Sequence, residues 1–124
     1  MHLYGGMEMD FPDEMSLLSL FECEPELLDN VVPFYYNTAT YKFYNKCNEK
    51  FIVNISPSYS DIKIQVYTFD NILISSLDFK RVSSVIILSD KRNESSILIK
   101  TECATIEIHF KPRFTIILKY LGNH

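Results

Sequence analysis

The first 41 residues contain no lysine and no arginine. That gap excludes a basic N-terminal arm for gripping nucleic acid or an anionic membrane, because phosphate binding needs cationic side chains. Tryptophan is missing altogether, and glycine occurs only as Gly5, Gly6 and Gly122. So little glycine leaves no Gly-rich loop to cradle a phosphate. Cys23, Cys47 and Cys103 are too few and too odd in number for a disulfide framework. They share no C-x-x-C spacing, so neither a zinc knuckle nor a redox pair is indicated. Free, half-buried thiols in a reducing cytosol are expected. No apolar run approaches the roughly 20 residues needed to cross a bilayer. The leading residues also lack a basic stretch followed by an apolar one, so no secretory signal is read and a cytoplasmic location is expected.

What is present is charge, unevenly placed. Glu8, Asp10, Asp13, Glu14, Glu22, Glu24, Glu26 and Asp29 give residues 1–41 a formal charge of −8. From Lys42 onward twelve bases meet eight acids, a charge of +4, which leaves the whole chain at −4. An acidic face repels phosphate polymers and steers basic proteins toward it. A nuclease, whose own cleft must grip a phosphate backbone, is one such basic protein. The alternative is a solubilising face that happens to fall in one stretch.

With 124 residues, 47% apolar content and a mean hydropathy near zero, the chain suits one soluble domain spanning residues 1–124. Residues 1–12 have no clear period, and a short strand around His2–Tyr4 or a loose arm would both fit. Pro12-Asp13-Glu14 reads as a helix start, with acids in the first turn complementing the helix dipole. Met15, Leu18 and Phe21, flanked by Leu17 and Leu20, follow at helical spacing. Pro25 ends that helix or opens a second short turn through Glu26-Leu27-Leu28-Asp29.

After Val31 the period becomes two. Stretches 41–44, 51–55, 62–69, 72–79, 82–88, 96–101, 105–110 and 114–120 are rich in β-branched and aromatic residues. Turn chemistry separates them, as in Ser56-Pro57-Ser58, Asp70-Asn71 and Lys111-Pro112-Arg113. About eight strands at ten-residue spacing with no helices between them predict a mainly β chain (α+β). Its expected form is an antiparallel β-sandwich or rolled sheet with one short N-terminal helix.

Groups for catalysis are scarce. His2 and His124 lie at the ends, and His109 shares a strand face with Glu107. A general base with an orienting carboxylate is one reading of that pair; an exposed cross-strand polar row is the plainer one. No clustered His/Cys set, H-x-x-x-H or calcium-loop pattern occurs, so no metal, cofactor or catalytic residue is expected. The serine pairs lack a nucleophile elbow. Phe34-Tyr35-Tyr36, Tyr41 and Phe43-Tyr44 form a dense aromatic patch beside the acids. Its rings suit strand packing or, where exposed, the anchoring of a protein partner. The acids beside it argue against nucleic-acid stacking, and the missing Trp argues against sugar.

The order of elements resembles the immunity protein 50 family of bacterial polymorphic toxin systems. In that family a stretch of the form P-x-F-H-D-A-E-V follows the first helix. Here Pro25-Glu26-Leu27-Leu28-Asp29-Asn30-Val31-Val32 matches it at Pro25, Asp29 and Val32, while Leu28 replaces the histidine and Val31 the second acid. Ile62, Ile64, Val66, Phe69, Ile72, Ile74, Leu77 and Phe79 are similar to the family's alternating run V-x-L-x-F-x-x-V-x-x-L-x-L-x-x-F, with a slip of one or two residues. The likeness spans about residues 14–118. It implies a non-enzymatic cytoplasmic antidote that binds a cognate protein toxin and occludes it stoichiometrically; the acidic segment itself argues against a nucleic-acid or membrane partner. The expected toxin-binding residues are Glu22, Glu24, Glu26, Asp29, Tyr35 and Tyr36. A small carbohydrate- or peptide-binding β-sandwich, or an accessory structural subunit, are the alternative expectations.

Overall fold

A computed structural model describes residues 10–121. The strand or arm considered near His2–Tyr4 lies outside the described residues. Asp13 caps the single helix, α1 (Glu14–Phe21): its side chain accepts from the Ser16 N–H at 2.8 Å. That bond holds the Asp13 carboxyl below its ordinary range. Glu22 ends the helix in a left-handed conformation, φ 57°, and its N–H closes onto the Leu18 carbonyl.

Leu17, Leu20 and Phe21 are the buried helix residues, whereas Met15 is 71% exposed. The stripe expected at Met15, Leu18 and Phe21 is therefore displaced. At about 100° per residue, Leu17, Leu20 and Phe21 share one face, and Met15 falls nearly opposite it.

Nine strands follow among the described residues: β1 (Glu26–Leu27), β2 (Ala39–Tyr44), β3 (Lys50–Ser56), β4 (Asp61–Tyr67), β5 (Leu73–Phe79), β6 (Ser84–Lys91), β7 (Glu94–Lys100), β8 (Ala104–Lys111) and β9 (Thr115–Tyr120). Eight of them stand where the period-two signal predicted strands. The helix itself ends at Phe21, ahead of Pro25, and the ninth strand, β1, stands where a second turn through Glu26–Asp29 is one of two readings. Its two residues pair with Thr40 and Ala39 on β2. Two residues cannot show a period, so pairing alone makes that strand.

The strands form two antiparallel meanders, β1-β2-β3-β4-β5 and β6-β7-β8-β9. Each has one apolar face. Tyr41, Phe51, Val53, Ile55, Ile62, Ile64 and Val66 face Val85, Ile97, Ile99, Ile106, Ile108 and Phe110 in one core. The expected sandwich is what forms, because alternation gives each sheet a single face to bury.

α1 closes one side of the sandwich. Phe21 lies 4.8 Å from both Tyr41 and Phe43 of the first sheet and 5.3 Å, edge-on, from Phe110 of the second. Ser19 Oγ donates to Asp90 at the end of β6. The helix thus fills the gap between the β1–β2 edge and the β6 edge. Strand order then places the other two edges, β5 and β9, on the opposite side.

A polar staple joins the sheets at one end. The buried Asn45 amide donates to the Phe110 carbonyl and to Glu49 Oε1, both at 2.8 Å, and that oxygen also accepts from the Phe114 N–H. Of the thiols expected to be half-buried, only Cys23 is; Cys47 and Cys103 are exposed, because both sit in turns. Burial pushes the Cys23 thiol up.

Candidate functional site

Registers orient the acidic segment. α1 starts beside Ser84, at the head of β6, and runs to the opposite end of the sandwich, where Glu22 meets Lys111 at the foot of β8. The chain then turns back through Glu24 to β1. It finishes in a loop over residues 28–36 near the β3–β4 connection. Glu22, Glu24, Glu26, Asp29, Tyr35 and Tyr36 therefore lie along one edge of the sandwich, end to end. They do not converge on a single point.

Their charges are not all free, which corrects the picture of an uncompensated acidic stretch. Glu22 is bonded to Lys111, a lysine whose side chain is largely buried. Glu26 lies 3.5 Å from Lys42 across the β1–β2 pair. Lys111 comes from β8, far along the chain, and Lys42 from the neighbouring β2, so both pairings depend on strand packing that sequence position does not reveal. Glu24 is exposed and has no ion-pair partner among the described residues. Asp29 accepts from the Val31 N–H at 2.9 Å and so shapes its own loop.

The loop is held from beneath by Asn37, which is buried. Its amide donates to the Asp29 and Val32 carbonyls at 2.6 and 2.9 Å, and its oxygen accepts from the Asp29 and Thr38 N–H groups. That saturates a buried amide and fixes the backbone carrying the two tyrosines. Sequence reading missed Asn37, although an Asn just before a strand is a plausible turn anchor. Tyr35 and Tyr36 meet edge to face at 5.0 Å and are both exposed, while Phe34 packs on the core. Tyr35 also borders a shallow depression with Phe11, Pro12, Asp13, Glu14, Phe34 and Pro57. Two carboxylates stand there beside an exposed phenol and an apolar floor, a composition suited to a basic or amphipathic protein surface.

Tyr41 and Phe43 belong to the core cluster, not to the exposed patch. Burial, with Glu14 and Cys23 adding to it, raises the Tyr41 phenol so that it stays neutral.

Elsewhere, His109 Nε2 and Glu107 Oε2 lie 2.6 Å apart on the outer face of β8. Both are partly exposed, and they open toward a sheet face rather than a cleft. Among the described residues, no group of three or more His, Cys, Asp and Glu side chains is arranged to hold a metal ion. No helix there is long and apolar enough to cross a membrane.

The opposite side of the sandwich is of another kind. Along β9, Ile116, Ile117, Leu118 and Tyr120 are all exposed; at β5 and the turn before it, so are Phe69, Ile72, Leu73 and Ile74. The sequence marked these only as strand positions.

No protein-family model matches the chain and no curated protein does, so the immunity protein 50 likeness stays a likeness of pattern. Among solved structures, the chain is similar to one from a contact-dependent growth inhibition toxin–immunity protein complex of Klebsiella pneumoniae 342. The match covers 90% of this chain and 96% of that one, at a TM-score of 0.69 and 24% identity. At that identity the likeness is one of fold.

Proposed function

We propose that this chain is an immunity protein: it binds a cognate bacterial toxin domain and neutralises it by occupying its surface, one to one. The observation that carries the reading is the end-to-end fold likeness to a chain of a toxin–immunity complex, with almost nothing of either chain left over. The surface of this chain favours the immunity half of such a pair. The acidic edge with its two exposed tyrosines suits the inhibitor of a basic toxin, such as a nuclease, better than it suits the toxin itself. Inhibition by occlusion asks for a rigid, complementary surface and not for reactive groups. The Asn37-anchored loop and the helix-backed edge supply such rigidity.

Glu22, Glu24, Glu26, Asp29, Tyr35 and Tyr36 are the toxin-facing residues in this reading. Glu24 and the Tyr35 depression matter most, because Lys111 and Lys42 already spend part of the charge of Glu22 and Glu26. An interface of ordinary size would bury about 1,600 Å² in total. A chain working in this way acts in the cytoplasm, where an incoming toxin would meet it.

The test is co-expression with the product of the adjacent reading frame. That product alone should kill the host, and this chain should rescue growth and co-purify with it at equal stoichiometry. A harmless neighbour with nothing eluting alongside would remove the reading and leave a small binding module.

A further inference from the structure

The four edges of the two sheets are not equally protected. β1 is two residues long, too short to template another strand. β6 carries a bulge between Ile87 and Ser89, and its head is covered by Asp10, which exchanges backbone bonds with Ser83 and Val85. β5 joins β4 through a bulge at Val66/Tyr67 and carries Asp78. β9 shares only the charge, with Lys119 near its end; it is full-length, unbulged and, among the described residues, uncovered. Its six residues run in unbroken register with β8, from Thr115 opposite His109 to Tyr120 opposite Ala104. It holds no proline, no acid and one charge, Lys119, and all six residues are exposed. Among the described residues no strand pairs with its free side.

We propose that β9 is a homodimerisation edge. Two copies pair β9 with β9 antiparallel, about a two-fold axis through Ile117, and so fuse two four-stranded sheets into one continuous sheet. The pleat allows only registers that set like faces opposite one another. Centring on Ile116 would put Arg113 opposite Lys119, a like-charge clash. Centring on Leu118 would set Lys119 against Ile117. Centring on Ile117 pairs Ile117 with itself on the outer face and Thr115 with Lys119. On the inner face it pairs Ile116 with Leu118 twice. Every apolar side chain of the strand core then meets an apolar one, and the single charge meets a hydroxyl. This self-complementarity favours a second copy over a foreign strand, and an isologous contact closes at two. The acidic edge lies on the far side of each copy and stays free, so the inference does not depend on the immunity reading.

Sedimentation velocity of the full chain over a range of concentrations tests it. The wild type should show a monomer–dimer equilibrium. Ile117→Lys sets two lysines face to face and should weaken the dimer by at least about tenfold. Thr115→Lys, on an exposed position that does not threaten folding, opposes Lys119 and should raise the dimer Kd. Thr115→Glu should lower it, each by roughly 2- to 30-fold through the two symmetric pairs. In a Cys47→Ser, Cys103→Ser background, Ile117→Cys should oxidise to a covalent dimer, since directly opposed residues lie at about 4.5–5.5 Å between Cα atoms, within disulfide reach. A wild type that stays monomeric at its highest soluble concentration overturns the proposal, as does a dimer indifferent to charge at Thr115. A monomer whose toxin binding is lost in Ile117→Lys would also overturn it and assign the edge to a partner's strand.

Discussion

The two long sides of this sandwich solve the same problem in opposite ways. On one side the chain spends its first described residues, α1 and a two-residue strand to cover the opening. Leu17, Leu20 and Phe21 go in, and the carboxylates stay out. On the other side β5 and β9 end the sheets with no cover among the described residues, and Leu73, Ile74 and the apolar residues of β9 remain in contact with water. A sheet edge is a row of unpaired backbone groups, so an open side invites pairing and a covered one presents only side chains. The covered side is thus suited to recognition by charge and aromatic anchors. The open side is suited to strand addition.

The covered side depends most on Phe21, whose ring touches both sheets at once. Phe21→Ala should cost about 3–5 kcal/mol, read as a lower midpoint in urea unfolding, and should leave the helix loosely docked. A loss below about 1 kcal/mol would mean that the helix is an accessory and that this side is as open as the other.

Next in size is the loop anchor. Asn37→Ala strands the Asp29 and Val32 backbone groups and should cost about 1–3 kcal/mol. Hydrogen exchange should rise in the loop over residues 28–36 while the β5–β9 side stays protected as before. Equal loosening on both sides would deny the loop its independence.

The electrostatic contrast is sharpened by reversing Glu22, Glu24 and Glu26 to Lys together. Association with a cognate basic toxin should slow by about tenfold or more at low salt and lose most of its salt dependence. Of the single changes Glu24→Lys should matter most, because Glu22 and Glu26 already face lysines. Stopped-flow rates that do not move would take the toxin contact off this side.

The smallest effect concerns the start of α1. The Ser16 N–H favours the Asp13 carboxylate and depresses its folded-state pKa below the unfolded value of about 3.9. Its contribution is therefore present above that unfolded value and lost as pH falls through the folded one. Asp13→Ala should lower the melting temperature slightly near neutral pH and should match the wild type near pH 2. A gap that persists in acid would show that the cap acts through something other than its charge.

Strand content was legible because alternation of apolar and polar residues is a local signal. Ile62, Ile64 and Val66 against Lys63, Gln65 and Tyr67 need no partner to be read. The helix start was legible for the same reason, since Pro12-Asp13-Glu14 carries its own capping chemistry. Misreadings came where the answer lay in another element. Met15 resembles a core residue until Phe21 finds Tyr41, Phe43 and Phe110, which sets the buried face. Glu26-Leu27 becomes a strand only because Ala39 and Thr40 lie beside it.

The chain's order of residues by itself determined that there would be a series of half-apolar strands, one capped helix ahead of them, and an N-terminal stretch with no lysine or arginine. Local period, local turns and covalent sequence carry all of that. Only the tertiary structure decided which carboxylates are paired, because Lys111 and Lys42 reach Glu22 and Glu26 through sheet packing. It alone decided, too, that among the described residues β9 ends a sheet with side chains of both faces exposed. Exposure of an edge follows from which strands neighbour one another, and neighbourhood across a sheet is settled by long-range contact.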